Sequence, residues 1–376
     1  MESAPALRPD TLTRFLAWTT MGSLAILLGL GTLITTYRVG MVDPIWPTEP
    51  WFLLSNWQEP SAGYLIEHIH RVAGYVSGLV ILAMVLSAWR SAPAIIGAIP
   101  LVLVSGCLAF AMTSINREMA RTDPIGAVNP VRFYGGLVLA FLSFLVPGLA
   151  WLTGKDGHAT GRSLRLAALL TYGAVIIQGL LGGFRVYLNA LMGDTLATIH
   201  GAFGQCVLAL ASATLTLSVM DCLRFSPSES PRKAVRFFGL LVAVTLLQLA
   251  WAVVVRHQGA GWAQRLHVIF AVIIAGGLGQ ATMLCREQDA RHLRVFAIIL
   301  TAALVLQVTL GVEAWLGKFG TGKPLVPEAR TAGEALLRTG HSLIGAAYLA
   351  LSVAAWIRAW RPAALLAGPM PAGGFQ

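Results

Sequence analysis

Apolar runs of about 20 residues recur from one end of this chain to the other, and that recurrence decides the fold class before any single residue does. A helix of about 20 residues crosses a hydrocarbon core roughly 30 Å thick, and in lipid only helices and closed barrels satisfy every backbone N–H and C=O. Of 376 residues, 56% are hydrophobic and 12% are charged, about half the charged share of a soluble domain. The period-two alternation of a barrel strand is missing from these runs. The chain reads as an all-α polytopic membrane protein.

Ten spans are predicted, at about 14–36, 64–89, 93–115, 131–153, 163–186, 195–221, 234–255, 264–285, 293–316 and 335–360. An even number places both termini on one side. That side holds fifteen of the 27 Lys and Arg residues against twelve on the other, and seven of the 17 acidic residues against ten. The positive-inside rule then gives a multi-pass protein of the cell inner (cytoplasmic) membrane with both termini cytoplasmic. The net charge of +10 is scattered through short loops rather than gathered on one face, so it reports topology and not nucleic-acid binding. Cys107, Cys206, Cys222 and Cys285 lie in spans or at their inner ends without a CxxC pair, so neither a structural disulfide nor a thiolate metal site is expected. The first thirteen residues read as a short tail before a retained helix, not as a cleaved signal peptide.

The spans repeat. Gln178-Gly-Leu-Leu-Gly-Gly leads to His200, Gln248-Leu-Ala-Trp leads to His267, and Gln307-Val-Thr-Leu-Gly-Val leads to His341. Each unit is an outward helix with an intramembrane Gln, an outer loop, and an inward helix with a His one to two turns in. The first two spans follow the same plan without the Gln, through Leu28-Gly29-Leu30-Gly31 to His70. The histidines are spaced 130, 67 and 74 residues apart. Treating 93–153 as an inserted hairpin, with no histidine, restores an even period. The organisation is then a first hairpin (1–92), the inserted hairpin (93–153), a second hairpin (162–223), a C-terminal half (233–360) and a disordered tail (361–376): four His-bearing hairpins plus one insertion, which the family resemblance given below groups into two pseudo-symmetric four-helix bundles.

Four imidazoles at one depth on four helices make two pairs. Neutral imidazole is a usual axial ligand of haem iron, and facing helices are a usual place to hold a porphyrin. Gly74, Gly78, Gly201 and Gly345 follow the histidines and admit either a flat macrocycle or close helix packing. His68, about 200° round the helix from His70, faces headgroups or a neighbour, while His158, His257 and His292 fall in loops or at span ends. Glu67 lies one turn from His70 on the same face. There it suits proton transfer or stabilisation of positive charge, with an ion pair to Arg71 or a loop arginine as the structural alternative. Arg71 would meet a haem propionate or snorkel. The three glutamines read as interhelical hydrogen-bonders, and Trp46, Trp51, Trp57, Trp251, Trp262 and Trp315 as an interfacial belt.

Glu67-x-x-His70-Arg71, the loop Thr36-Tyr37-Arg38-Val39-Gly40-Met41-Val42-Asp43-Pro44-Ile45-Trp46-Pro47, Gln178-Gly-Leu-Leu-Gly-Gly before a His-bearing span, and Gln307-Val-Thr-Leu-Gly before His341 resemble the haem A synthase family of cytochrome oxidase assembly. The resemblance runs from the first span to about residue 358. It implies an oxidoreductase that converts a methyl group of haem O into the formyl group of haem A, through alcohol and hydrated aldehyde stages, with oxygen taken from water. His70 and His200 would hold the substrate haem O, with Glu67 as the catalytic carboxylate and Arg71 at the haem edge. His267 and His341 would ligate a resident haem b, or haem A at the same site, as electron relay. Implied partners are the haem O synthase that supplies the substrate, an external electron acceptor and the lipid membrane, with no nucleic acid; a homo-oligomer is compatible with all of this. The chain differs from that family in having ten predicted spans against eight, Val268 after His267 where many members have Arg, and no cysteine pair in an outer loop.

Three other readings compete. A membrane di-haem electron-transfer protein of the cytochrome b kind, or a haem-binding assembly protein without haem-modifying activity, would share the histidines. The first commonly carries two ligands about 14 residues apart on one helix, which no span here has. A transporter would place its polar groups at the membrane midplane, whereas the ionisable groups here gather at the outer ends.

Overall fold

The computed structural model describes residues 11–42, 61–90, 159–220, 232–285, 293–319, 328–329 and 331–366, with scattered positions between 123 and 153. Among these residues every regular element is a helix: α1 (Thr11–Tyr37), α2 (Ala62–Trp89), α3 (Ala159–Tyr187), α4 (Asn189–Val219), α5 (Arg232–Gln258), α6 (Gly261–Leu284), α7 (Arg294–Phe319) and α8 (Ala332–Leu366). All eight are long and apolar enough to cross a membrane. They coincide with eight of the ten predicted spans. The other two, 93–115 and 131–153, lie outside the described residues except for scattered positions, and those between 130 and 152 are helical. One of them, Trp151, donates Nε1–H to the Arg162 carbonyl at 3.1 Å, under a guanidinium 4.5 Å from its ring centre.

Helix ends differ from the predicted ones by up to six residues, most at the start of α4 and the end of α8. In α4 an extra turn precedes a break at Met192 (φ −140°, ψ 25°). In α8 the helix passes Pro362 and continues to Leu366, because a proline removes one backbone hydrogen bond without necessarily ending a helix. Local chemistry sets the other ends. Ser61 caps α2 by accepting the Tyr64 N–H at 3.3 Å. Beyond α1, Arg38 adopts a left-handed conformation (φ 52°) and the Val39 N–H reaches back to the Ile34 carbonyl at 3.1 Å, a Schellman closure. Hydroxyls inside spans bond their own helices, as Thr36 to Thr32 O, Thr171 to Ala167 O and Thr245 to Leu241 O, which lipid requires of any polar group.

The chain forms two compact units, Met1–Val207 and Leu208–Gln376, divided within α4. In the first, α2 packs between α1 and α3. Thr13 and Ser87 share a hydroxyl hydrogen bond of 2.7 Å across α1 and α2. Trp89 is buried against α3 and donates Nε1–H to the Arg165 carbonyl at 3.3 Å. In the second, α5 packs on α6 and α8, and α7 packs on α6 and α8. Phe238, Leu241, Ile274, Leu278, Leu300 and Tyr348 fill the space between them. Outward positions such as Leu79, Leu240, Val272 and Val305 are apolar and exposed, as a lipid-facing surface should be.

Candidate functional site

His70 lies eight residues beyond the start of α2, His267 six beyond the start of α6, His341 nine beyond the start of α8, and His200 eight beyond the break in α4. Each is therefore about two turns into its helix. His70 and His200 belong to the first unit, His267 and His341 to the second.

In the second unit the pairing is direct: the His267 and His341 rings have centres 6.1 Å apart and planes at 81°. At that separation the two rings would be near enough to hold one iron between them if both Nε2 atoms faced it. His267 Nδ1 lies 3.3 Å from the Gln248 carbonyl, and His341 Nδ1 lies 3.1 Å from the Gln307 carbonyl. A carbonyl can only accept, so Nδ1 carries the proton and Nε2 keeps its lone pair. That second hydrogen bond is the usual companion of a metal-ligating imidazole. On this donor chemistry the pair fits an iron porphyrin. Among the described residues no group of three or more His, Cys, Asp or Glu could hold a metal ion by protein ligands alone; a pair suffices when a macrocycle fills the remaining positions.

In the first unit His70 follows the same plan, with Nδ1 3.1 Å from the Leu27 carbonyl of α1. Leu27 stands where the other units have glutamine, and its backbone supplies what matters. His200 is held differently. The Gln178 side-chain Nε2 sits 3.0 Å from the His200 carbonyl and 3.3 Å from His200 Nε2, so the nitrogen that would ligate iron is already engaged. His70 and His200 lie within electrostatic reach of each other and of Arg185.

Glu67 is 5% exposed. Its Oε1 accepts from the Arg71 guanidinium at 2.7 Å and from the Met41 N–H at 3.0 Å. The ion pair that the sequence offers as the structural alternative is thus present, and Arg71 is buried in it rather than snorkelling. Met41 has φ 79°, a left-handed conformation that a side chain disfavours; the carboxylate secures the N–H it presents. Arg185, which sequence reasoning passed over, stands within reach of Glu67, Arg71 and Asp194, and its Nη2 is 3.0 Å from where a Cβ on Gly40 would be.

Around His341, Arg256 donates to the Ser342 hydroxyl, Ser342 donates to the Arg338 carbonyl at 3.1 Å, and Arg338 pairs with Glu334 at 3.8 Å. These two arginines were also not singled out from sequence: Arg338 lies three residues before His341, and Arg256 eight residues after Gln248, beyond the quoted motif. His68 is fully buried and stacked on Tyr64, centres 5.6 Å apart, so it faces a neighbour and not headgroups. His257 is half-buried in the last turn of α5, while His158 and His292 lie outside the described residues. A Cβ on Gly345 would meet Gln307 Nε2 at 3.0 Å, which is close helix packing, whereas Gly74 and Gly78 border open space. Trp251 and Trp262 form an edge-on pair 5.6 Å apart; Trp46, Trp51 and Trp57 lie outside the described residues. Cys206 and Cys285 are free thiols. No family model matches the chain, and a search of curated proteins returns no match.

Proposed function

We propose that this chain is a membrane haem protein that oxidises a methyl group of haem O to the formyl group of haem A. The observation that carries the reading is the His267–His341 pair, 6.1 Å between ring centres, with both Nδ1 positions directed at backbone carbonyls. The motifs around Glu67, Gln178 and Gln307 supply the rest by resemblance. In the finer architecture, ten spans form two pseudo-symmetric four-helix bundles and an inserted hairpin, in the cytoplasmic membrane with both termini cytoplasmic. The second unit, with both imidazoles ready, suits a resident haem b or haem A. The first, with His70 ready and His200 tied to Gln178, suits a substrate that arrives and leaves, since His200 exchanges one partner for another.

Bound haem supplies a one-electron redox centre; the chain supplies position and charge. Turning a methyl into a formyl group takes in one water and releases four electrons and four protons, the electrons passing to an external acceptor. Glu67 beside His70 would stabilise positive charge at the reacting carbon or take a proton from the attacking water. Arg71 holds that carboxylate in place and is the nearest candidate for a propionate. The haem O synthase is the natural supplier of substrate, and a homo-oligomer is compatible with the scheme.

A second reading has an observation in its favour. Because Glu67 already serves an ion pair and a strained loop, it could be purely structural, in a di-haem electron-transfer or haem-binding assembly protein. The test is the haem content of protein co-expressed with a haem O source, by pyridine haemochrome spectrum and chromatography of extracted haem. Haem A or its alcohol in wild type, with haem O retained in Glu67→Ala, supports the synthase reading. Unmodified haem in both refutes it and leaves the second.

A further inference from the structure

We propose that Gly31 and Gly311, together with the carbonyls of Leu27 and Gln307 one turn before them, form slots that fix the orientation of the imidazoles, and that Gly182 and Ala252 occupy the equivalent places in the other two units. As a device for iron ligands the proposal rests on the haem reading above; as a device for imidazole orientation it stands on contacts alone.

The register is the same four times. Position n is Leu27, Gln178, Gln248 and Gln307, and position n+4 is Gly31, Gly182, Ala252 and Gly311. Residues four apart share one helix face, one turn from each other. His70 Nδ1 lies 3.1 Å from O of Leu27, and a Cβ on Gly31 would stand 3.1 Å from His70 Cε1. His341 Nδ1 lies 3.1 Å from O of Gln307, and a Cβ on Gly311 would stand 2.9 Å from His341 Cε1 and 3.3 Å from its Nδ1. The Nδ1–Cε1 edge of each ring therefore rests against bare backbone while Nδ1 bonds the carbonyl. Two adjacent ring atoms held by one helix fix both rotation and tautomer, and with them the direction of the Nε2 lone pair.

The other two units vary the slot and the result varies with it. Where the third has Ala252, the Nδ1 to carbonyl distance is the longest of the three, 3.3 Å. At Gly182 a Cβ would meet His200 Cε1 at 3.4 Å, ordinary contact, and the Gln178 carbonyl stands beside the His200 ring with Nδ1 outside ordinary hydrogen-bond geometry. A methyl on Gly311 has only a ring to displace, and the ring can move only by lengthening its hydrogen bond. Packing alone explains a glycine elsewhere: a Cβ on Gly239 would stand 3.0 Å from Trp356 Nε1, equally tight and with no histidine beside it.

The test compares Gly311→Ala, Gly239→Ala and Ala252→Gly in the full chain. One readout needs no haem: nitrogen-15 NMR of histidine-labelled protein, reporting which ring nitrogen carries the proton. The other is the electron paramagnetic resonance of the ferric centre in protein as purified. Gly311→Ala is expected to lose the Nδ1–H signature of His341 and to shift the low-spin g values, Gly239→Ala to leave both unchanged, and Ala252→Gly to move His267 toward a stronger Nδ1 hydrogen bond. An unchanged His341 tautomer in Gly311→Ala, or an equal change in Gly239→Ala, overturns the proposal even in haem-loaded protein. If Gly311→Ala fails to fold, an Ala252→Gly protein with an unaltered His267 overturns it. Tautomer shifts as expected in protein without haem would keep the slots and refute the haem reading instead.

Discussion

The Glu67–Arg71 pair allows a quantitative test, because the same two side chains are asked to stabilise the fold and to serve the chemistry. Both are buried, with side-chain exposures of 7% and 10%, and Glu67 Oε1 also accepts from Met41 N–H. Removing one partner of a buried ion pair costs about 3–5 kcal/mol, because a charge is left in a low-dielectric setting. Glu67→Leu adds the lost Met41 hydrogen bond, about 1 kcal/mol, so about 4–6 kcal/mol is expected. Glu67→Gln keeps an acceptor for both donors but leaves Arg71 without its counter-charge, so the retained hydrogen bonds offset only part of the loss and the cost should be about 2–3 kcal/mol. Arg71→Met strands the carboxylate and should cost as much as breaking the pair, about 3–5 kcal/mol. The double variant Glu67→Gln with Arg71→Met buries no net charge, so a coupling of about 2 kcal/mol is expected from the cycle. The assay is unfolding in mixed micelles of increasing denaturing-detergent fraction, with helicity as the signal. Additivity within about 0.5 kcal/mol would refute the buried-pair reasoning. The chemistry separates on the same variants. If Glu67 is catalytic, Glu67→Gln loses haem O conversion despite its smaller stability cost, while Arg71→Met keeps much of it despite the larger one. If conversion tracks stability across the series, Glu67 is a structural residue.

Two further predictions concern packing and reactivity. Gly63→Ala would put a Cβ 2.8 Å from Val39 Cγ1 and 3.1 Å from its Cβ, so it should destabilise the α1–α2 closure by about 1–3 kcal/mol; Val39→Ala in the same chain should recover most of that, and no recovery would place the clash elsewhere. Cys285, the C-cap residue of α6, is 2% exposed. With Cys107, Cys206 and Cys222 all changed to Ser, it should react with maleimide at least about tenfold more slowly than a free thiol at neutral pH, and at full rate once denatured; rapid labelling of the folded protein would refute its burial.

Eight helices were legible because a membrane span leaves a long apolar run that no other context produces. The histidines were legible from spacing, since the repeat brought each to the same depth. Their hydrogen-bond partners were not, because a backbone carbonyl leaves no mark in the sequence: Leu27 does for His70 what Gln307 does for His341. The glutamines drew attention by being polar in an apolar run, yet at two of the three it is the main chain that holds the imidazole. The glycine at n+4 was visible inside the quoted motifs, but its meaning depends on which ring rests against it. The Glu67–Arg71 contact follows from i, i+4 spacing on a helix and could be read as an alternative. Its second partner, Met41 at φ 79°, could not, since nothing in the residue type favours that conformation.

The two units share a scaffold and differ in charge at matched positions. Three residues before its histidine, the first unit has Glu67 and the second has Arg338. Glu67 is answered by Arg71 four residues later, Arg338 by Glu334 four residues earlier; the acid precedes the base in both, but the second pair sits one turn earlier, so a base stands where the first unit has an acid. Beside His70 stand Arg71 and Arg185, and Glu67 and Asp194 stand within reach of Arg185. Around His341 they are Arg256 and Arg338 against Glu334. Among these described residues the first set balances, while the second has one more base than acid. In a low-dielectric interior that excess is felt strongly; it favours carboxylate-bearing ligands and the electron-rich state of a redox centre. If the proposed oxidation takes place in the first unit, a carboxylate there and positive charge beside the paired histidines of the second would suit oxidation and electron removal respectively. A repeat that kept its histidines and exchanged its charges would arrive at that arrangement without altering the fold.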